Sequence, residues 1–290
     1  MQNPILFAFG SMIFYGLADW LYKQVAIKGI KPHHFMALQA TFFMPSIFTF
    51  GYFSNDLHFD LSYLFGLGAG LGLFLALYNF SISLNEGAVS IAAPIFRLSF
   101  IFTVVLAVIT LNEPINSLKI AAFLLCFVAI WLLLGNILIF KEKNGMPYES
   151  HISKKGLFRV LLATFFMGLT SFIYKLGILA GGTPISVVCG QATTFFPCAY
   201  GFALARDKGF TVPLKYWYFG VAAAFTQLAA QILLLKGLIN GEASVLIPIA
   251  QMGFVITAIL GIVFLRERLT MSKVFGLSAT VLAFVCLALS

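Results

Sequence analysis

Residues Gln39–Pro45 read QATFFMP, and residues Gln191–Pro197 read QATTFFP. Both stretches place a glutamine and a proline inside long apolar sequence. The two glutamines are 152 positions apart, at 39 and 191. Similarity at a fixed offset indicates an internal repeat, and the repeat decides how the rest of the chain is interpreted.

The repeat extends well beyond these two stretches. With the same offset, Tyr15–Lys23 (YGLADWLYK) aligns with Met167–Lys175 (MGLTSFIYK), and Pro32 aligns with Pro184. After a gain of two residues the offset becomes 154. Six further residues of the first unit then match identical ones in the second: Gly87, Ser90, Pro94, Thr103, Glu113 and Lys119 match Gly241, Ser244, Pro248, Thr257, Glu267 and Lys273.

The composition predicts an all-α membrane protein. Of the 290 residues, 61% are hydrophobic and 10% charged, and the mean hydropathy is +0.99, whereas soluble domains carry about 25% charged residues. Apolar windows of about 20 residues, the length that crosses a bilayer, predict ten transmembrane helices. They cover 4–25, 33–53, 61–84, 88–110, 115–139, 156–178, 184–204, 213–236, 242–264 and 270–289.

Each unit contains five predicted helices, and because five is odd the second unit enters the membrane in the opposite sense. Equivalent loops should then differ in basic content. Residues 28–31 contain two lysines and 180–183 none, whereas 53–60 contain no Lys or Arg and 206–215 contain three. We therefore predict two inverted five-helix repeats, 1–140 and 156–290, joined by a linker loop at 141–155.

The basic residues also predict an orientation in the cytoplasmic membrane. Of the 18 Lys and Arg residues, Lys119, Lys175 and Lys236 fall on one side and Arg97 lies within a helix. The remaining 14 fall on the side of loops 1–2, 3–4, 5–6, 7–8 and 9–10. The positive-inside rule places that side in the cytoplasm and both termini outside it.

Several other functions lack support in the sequence. The +8 net charge is divided among membrane loops without a continuous basic patch, so no nucleic-acid partner is expected. The four cysteines and four histidines have no ligand spacing, so we expect no metal and no cofactor. The glycine-rich run Gly66–Gly72 lies within an apolar span with no strand before it, which favours close helix packing over phosphate binding.

Two further motifs relate the chain to a known family. A short turn with a glutamate follows the fourth helix of each unit, in Leu111–Pro114 (LNEP) and Leu265–Arg268 (LRER). The fourth helix itself opens with Ser-xxx-Pro, at 90–94 and 244–248. With its two five-helix units, the chain resembles the EamA-type proteins of the drug/metabolite transporter superfamily. The resemblance implies transport of amino acids, other metabolites, nucleotide sugars or drugs, and implies cytoplasmic termini, opposite to the charge count.

Arg97 is the first candidate for substrate binding. It lies near the middle of the fourth span, where a charge costs several kcal/mol. Ser90, Pro94 and Arg97 share one helix face, and the equivalent face of span nine carries Ser244, Pro248 and Gln251. We predict that Arg97 and Gln251 face a common interior, where Arg97 binds a carboxylate or phosphate. The alternative is an Arg97 bound to carbonyl groups of a neighbouring helix.

Asp19 is the acidic residue that lies well inside a span, on a stripe with Ser11, Tyr15 and Tyr22. An intramembrane acid suits proton coupling or the binding of an ammonium group. The alternative is a local pair with Lys23, four residues on. Ser171 is the equivalent residue of the second unit, so the repeat itself does not require an acid.

Uncharged polar residues complete the predicted substrate-binding set. Such residues either line a transport path or hold helices together by hydrogen bonds, and both interpretations stand for each of them. Glu113 and Glu267 lie in turns beside Asn116 and Thr270, and we predict a capping role for both. The candidate lining residues are Tyr22, Gln39, Gln191, Asn79, Gln227 and Gln231.

Pro45, Pro94, Pro197 and Pro248 lie inside predicted helices. A proline removes the hydrogen bond to the carbonyl four residues earlier and bends the helix. Each of these carbonyls belongs to a Ser or Thr, and hydroxyl groups can satisfy freed backbone groups in membranes. We predict bends in spans two, four, seven and nine that act as hinges; static kinks that improve packing are the alternative.

These observations predict a secondary active transporter rather than an enzyme. Inverted repeats are typical of such transporters, with the binding site near mid-membrane between the repeats. We expect alternating access for a small polar metabolite, an amino acid or other anionic or zwitterionic solute, driven by protons or by exchange. A flippase for a lipid-linked group and a passive facilitator are alternatives. The expected partners are a small molecule, membrane lipid and protons as coupling ion.

Overall fold

A computed structural model of the protein describes residues 3–83, 89–134, 153–207, 212–264 and 270–290. Residues 141–152 of the predicted linker 141–155 lie outside these ranges, and so does the turn with Glu267. Within them all regular structure is helical: α1 (Pro4–Ile27), α2 (Pro32–Ser54), α3 (Leu61–Ser83), α4 (Val89–Arg97), α5 (Ser99–Leu111), α6 (Ser117–Leu134), α7 (Lys154–Leu179), α8 (Pro184–Asp207), a 3₁₀ turn (Leu214–Tyr216), α9 (Trp217–Asn240), α10 (Ala243–Gln251), α11 (Phe254–Phe264) and α12 (Met271–Ala288).

Local sequence explains where several helices begin. Proline opens α1, α2 and α8, where its missing N–H would have had no partner in the helix. Side chains cap other starts: Ser153 accepts from the amide of Gly156 (2.9 Å) and Thr270 from the amide of Lys273 (3.4 Å). Each cap satisfies one of the amides that a helix start leaves unpaired.

The helices suit a membrane. Among the described residues, seven segments are long and apolar enough to cross a bilayer, and shorter apolar helices cover Ile95–Leu111 and Ser117–Leu132. Many large apolar side chains, such as Phe53, Phe59 and Leu214, are exposed on the outside of the bundle. A large exposed apolar surface marks contact with lipid or protein, so the chain is an all-α, multi-pass membrane protein.

The fourth and ninth predicted spans are broken rather than bent. The break separates α4 from α5 at Leu98, and α10 from α11 at Met252 and Gly253. At both breaks the amide bonds to the carbonyl three residues earlier: Leu98 to Ile95 (3.0 Å) and Met252 to Ile249 (3.1 Å). Tightening of this kind marks the end of a helix. The breaks thus follow Pro94 and Pro248 by about one turn, and end α4 and α10 at Arg97 and Gln251.

The two other prolines leave their helices unbroken. α2 continues through Pro45 and α8 through Pro197. The hydroxyls of Thr41 and Thr193 do not point to the carbonyls that the prolines release. They donate instead one turn earlier, to the carbonyls of Ala37 and Cys189 (both 2.9 Å).

Helix packing follows the alignment of the two units. Helices α1 to α6 correspond in order to α7 to α12 at the offsets of 152 and 154. The contact between α3 and α7 is matched by that between α9 and α1, and the contact between α3 and α8 by that between α9 and α2. Extensive packing joins helices of different units, so the halves interdigitate instead of forming separate bundles.

Equivalent helices run in opposite directions. The start of α2 contacts the end of α8, because His33 lies 2.8 Å from Asp207. Asn116, just before α6, donates to the carbonyl of Ser290, just after α12 (3.3 Å). In both pairs a helix is antiparallel to its own counterpart. The end of α5 also meets the start of α10, the counterpart of α4, through Glu113.

Glycines bring α3 and α8 into backbone contact. A Cβ on Gly66 would lie 2.2 Å from the carbonyl oxygen of Val187, and one on Gly190 would lie 2.2 Å from the carbonyl oxygen of Tyr63. Small residues permit such close approach between membrane helices. The glycine-rich run at 66–72 is therefore a packing surface, as its sequence context predicts.

We expect Gly66→Ala to destabilise the protein by about 1–3 kcal/mol, since backbone atoms of α8 cannot move aside for the added methyl group. Gly68→Ala is the matched control, because a Cβ there has nothing within 4 Å. The free energy of unfolding in mixed detergent micelles measures both. Equal stabilities for the two variants would contradict the backbone contact.

Candidate functional site

An ion pair inside the helical bundle brings two of the predicted site residues together. Arg97, the last residue of α4, donates from its guanidinium to the carboxylate of Asp19, near the middle of α1. The Arg97 side chain is 24% exposed and that of Asp19 is 32% exposed. Both side chains are therefore only partly buried.

The helix end suits the positive charge. The last carbonyl groups of α4 have no amide partners within the helix, and the negative end of the helix dipole stabilises a cation there. Arg97 is the basic residue in this last turn. The position at the helix end and the contact with Asp19 both favour the positive charge of Arg97.

Helix α1 is fixed against the second break. A Cβ on Gly16 would lie 2.5 Å from the carbonyl oxygen of Gly253, and Thr257 donates to the carbonyl of Gly16 (2.9 Å). The same bond recurs in the other unit, where Thr103 donates to the carbonyl of Gly168 (2.8 Å). The first helix of each unit is thus tied to the broken helix of the other.

Residues equivalent to the ion pair carry no charge. Gln251 ends α10 as Arg97 ends α4, and it is half-buried. Ser171 occupies the position in α7 that Asp19 occupies in α1, and its hydroxyl donates to the carbonyl of Met167 (3.2 Å). The two charges of the ion pair therefore come from the first unit, and the equivalent residues of the second unit are uncharged.

Tyrosine–glutamine pairs repeat in the two units. Tyr22 donates to the side-chain oxygen of Gln39, and Tyr174 donates to that of Gln191. Gln39 in turn donates to the carbonyl of Ala223 on α9 (3.0 Å). These contacts join α1, α2 and α9, and they favour the interhelical role for Gln39.

Gln231 extends the second pair, since its amide nitrogen donates to the side-chain oxygen of Gln191 (3.2 Å). Asn79 donates to the carbonyl of Leu75 (2.8 Å) and accepts from Arg159 at the start of α7 (2.8 Å). Gln227 is half-buried on α9. Gln231 and Asn79 thus have protein partners, and lining of the path stays a prediction for all three.

A groove of about 620 Å³ runs between α2 and α9. Pro45 and Ser46 contribute to it from α2, and phenyl rings of Phe50, Phe53 and Phe225 dominate its wall. Pro45 therefore lies at a gap between helices of different units, which a bend of α2 would widen or close. Of the other prolines, Pro248 is buried in α10, Pro197 is in α8, and the Pro94 side chain lies outside the described residues.

Glu113 caps a helix, although not the one that its position in the chain predicts. Its carboxylate accepts from the amides of Ala243 and Ser244 (both 2.8 Å), at the start of α10 in the other unit. Asn116 caps its own helix, α6, through the amide of Lys119 (2.9 Å). In the sequence, the match between Glu113 and Glu267 indicates that both units keep this glutamate. It does not indicate that the glutamate of one unit caps a helix of the other.

Lys119 forms a buried polar network that the sequence did not predict. It is 1% exposed, and its ammonium group donates to Glu242, to the hydroxyl of Ser244 (3.2 Å) and to the carbonyl of Pro114 (2.7 Å). Beside the Glu113 cap, this network ties the loop after α5 to the start of α10. The match of Lys119 with Lys273 marks the position as one that both units keep.

A bundle of apolar helices with two interruptions, and a partly exposed ion pair beside one of them, is compatible with a membrane transporter. A sequence profile of the EamA-like transporter family matches residues 2–135 and again residues 154–289. The chain therefore belongs to the EamA-like transporter family, within the drug/metabolite transporter superfamily, and it is a membrane transporter.

Three individual proteins are similar to the chain. Over 223 residues the chain is 24% identical to an uncharacterised transporter of Archaeoglobus fulgidus, covering 77% of this chain and 74% of the relative. Over 76 residues it is 29% identical to an uncharacterised protein of Methanocaldococcus jannaschii, covering 26% of this chain and 56% of the relative. One protein of known crystal structure has the same fold, with a TM-score of 0.79 over 98% of this chain and 96% of its own, at 15% identity.

A double-mutant cycle tests the ion pair independently of transport. Arg97→Gln and Asp19→Asn each leave one charge without its partner, so each should lower the thermal unfolding midpoint in detergent. The double variant should be more stable than the two single effects together predict, with a coupling of about 0.5–3 kcal/mol. Additive effects would show that the two groups do not pair.

Proposed function

We propose that the protein is a secondary active transporter of a small anionic or zwitterionic metabolite, working by alternating access in the cytoplasmic membrane. Its path lies between two inverted five-helix units, residues 1–140 and 156–290, which together cross the membrane ten times. The observation that carries the proposal is the Arg97–Asp19 ion pair, both side chains of which are partly exposed.

The antiparallel packing of equivalent helices supports the inversion. A two-fold relation that makes α2 antiparallel to α8 and α6 antiparallel to α12 has its axis in the membrane plane. Transporters built from such repeats bind substrate near the midplane, beside interrupted helices. The breaks after Arg97 and Gln251 are interruptions of this kind, one in each unit.

The ion pair suggests the substrate class. A guanidinium binds a carboxylate through two parallel hydrogen bonds, and a carboxylate binds an ammonium group. A zwitterion with both groups, such as an amino acid, replaces each partner of the pair with one of its own charges. Arg97 then holds the substrate carboxylate and Asp19 holds the ammonium group, so neither charge is left unpaired.

The same pair offers a means of coupling. When an anionic substrate without an amino group takes Arg97, Asp19 loses its partner and is left charged within the membrane. Binding a proton removes that charge, so substrate and proton enter the site together. Exchange transport needs no proton. After one substrate molecule leaves, a second one from the opposite side of the membrane pairs with Arg97 in its place.

The helix interruptions suit the conformational change. Each unit ties its first helix to the broken helix of the other through Thr103–Gly168 and Thr257–Gly16. Rocking of one unit against the other therefore acts directly on the breaks beside the binding site. The prolines at 45 and 197 provide a further place for α2 and α8 to bend.

A flippase for a lipid-linked group is the second candidate, and the groove between α2 and α9 favours it. The groove is lined mainly by apolar side chains, including Phe50, Phe225 and Leu228. An acyl chain lying there would leave its polar head near the centre of the bundle. Competition by lipid-linked and water-soluble substrates for the same Arg97-dependent site separates this candidate from the first.

Arg97→Gln should reduce transport by about 10- to 100-fold, since one charge-assisted contact contributes about 1.5–3 kcal/mol. The substrate is first identified by thermal-shift screening of amino acids, organic acids and nucleotides on purified protein. Uptake into proteoliposomes is then measured. Arg206→Gln, at an exposed arginine, is the control. Full activity of folded Arg97→Gln would overturn the anchoring role.

Asp19→Asn should remove the response of transport to an imposed pH gradient, because an amide cannot carry the proton. Uptake into proteoliposomes with and without the gradient measures this, and Asp56→Asn, outside the helices, is the control. An unchanged response in Asp19→Asn would show that protons couple elsewhere. A wild-type protein that never accumulates substrate would instead be a passive facilitator.

A further inference from the structure

Two histidines and an aspartate meet where α2 begins and α8 ends. The Nε2 atom of His33 lies 2.8 Å from Oδ2 of Asp207, and that of His34 lies 2.9 Å from the same oxygen. One ligand atom from each of the three residues lies within 4.8 Å of the others. Sequence spacing could not reveal this group, because the ligands belong to different units.

The group has the composition of a zinc site. Zn²⁺ binds imidazole nitrogen and carboxylate oxygen at about 2.0–2.2 Å, with three protein ligands in sites that keep a fourth position open. Tetrahedral geometry at those bond lengths separates ligand atoms by roughly 3.3 Å. The observed separations of His33 and His34 from Asp207 are about half an ångström shorter, so a small outward shift of the carboxylate admits the ion.

Burial and access are compatible with this role. His33 is 5% exposed and His34 is 1% exposed, so their imidazoles are held in place by the surrounding helices, whereas the Asp207 side chain is 21% exposed and leaves a path for the ion. Lys31 also contacts Asp207 (2.9 Å), but its side chain is 60% exposed and can swing into water. The neighbouring Arg206 lies over the ring of Phe202.

The opposite end of the same helix pair is closed by different chemistry. There the hydroxyls of Thr183 and Ser186 donate to the carbonyl of Asp56, and Ser186 accepts from the amide of His58 (2.8 Å). Hydroxyl and carbonyl oxygens of this kind are poor zinc ligands compared with imidazole. A zinc ion would therefore act at one end of the α2–α8 pair and leave the other end free.

We propose that His33, His34 and Asp207 form a zinc-binding site that clamps the start of α2 to the end of α8. Zinc at this junction, beside the loop that precedes α2, holds that end of the helix pair closed. The clamping role rests on the proposed alternating access, because zinc can slow transport only if α2 and α8 must separate at this end. Zinc binding itself does not depend on that function.

The first experiment measures binding on tag-free protein in detergent, after treatment with a chelator. Titration calorimetry with Zn²⁺ should show about one ion per chain, and X-ray absorption should show imidazole and oxygen ligands without sulfur. His34→Gln and Asp207→Asn keep polar side chains at the junction and should lose this binding. His58→Gln, at an exposed histidine elsewhere, should retain it.

Wild-type protein that binds no zinc, or binds it equally well in His34→Gln, would overturn the site. Sulfur ligands would assign the ion to the cysteines and overturn it as well. For the clamp, zinc should slow uptake by wild type and leave His34→Gln unaffected, in proteoliposomes exposed to zinc on either side. Zinc that binds without slowing uptake would overturn the clamping role and leave the binding site standing. A protein that transports no solute would contradict the proposed function, and zinc binding would then be judged by the first experiment alone.

Discussion

The hydrocarbon core of a bilayer offers no hydrogen-bonding partners. A polar group of a protein that lies within it must therefore find a partner in the protein itself. In this chain many of those partners come from the other repeat unit. Glu113 caps α10, Thr103 binds the carbonyl of Gly168, and Thr257 binds that of Gly16. Neither unit could satisfy these groups alone, which explains why the units interdigitate instead of folding as two separate bundles.

The Arg97–Asp19 pair follows from the same requirement and goes beyond it. Desolvation offsets much of the attraction in a fully buried ion pair, so a purely structural pair of that kind depends on further hydrogen bonds. This pair keeps both side chains partly exposed, beside a helix end that is interrupted. The proposed substrate binding uses this state, because a partly exposed pair can exchange its partners for the charges of a solute.

The repeat, the helical class and the positions of most helices could be predicted from the sequence, because hydropathy and a fixed offset are local signals. Arg97, Asp19 and Gln39 stood out for a similar reason, as polar residues in apolar surroundings. Their partners could not be predicted. Glu113 was assigned to its own turn, yet it acts 130 residues away, and His33 showed no ligand spacing because Asp207 lies 174 residues on. Contacts between units leave no pattern within a single unit.

The differences between the units matter as much as their likeness. Equivalent helices and equivalent threonine bonds make the two ends of the molecule similar, so conformations open to either side can lie close in energy, as alternating access needs. The charges break that likeness, with Arg97 against Gln251, Asp19 against Ser171, and Asp207 with two histidines against the carbonyl of Asp56 with two hydroxyls. In the proposed mechanism the symmetric frame supplies the motion, and the residues that depart from symmetry select the substrate and the side from which the motion is controlled.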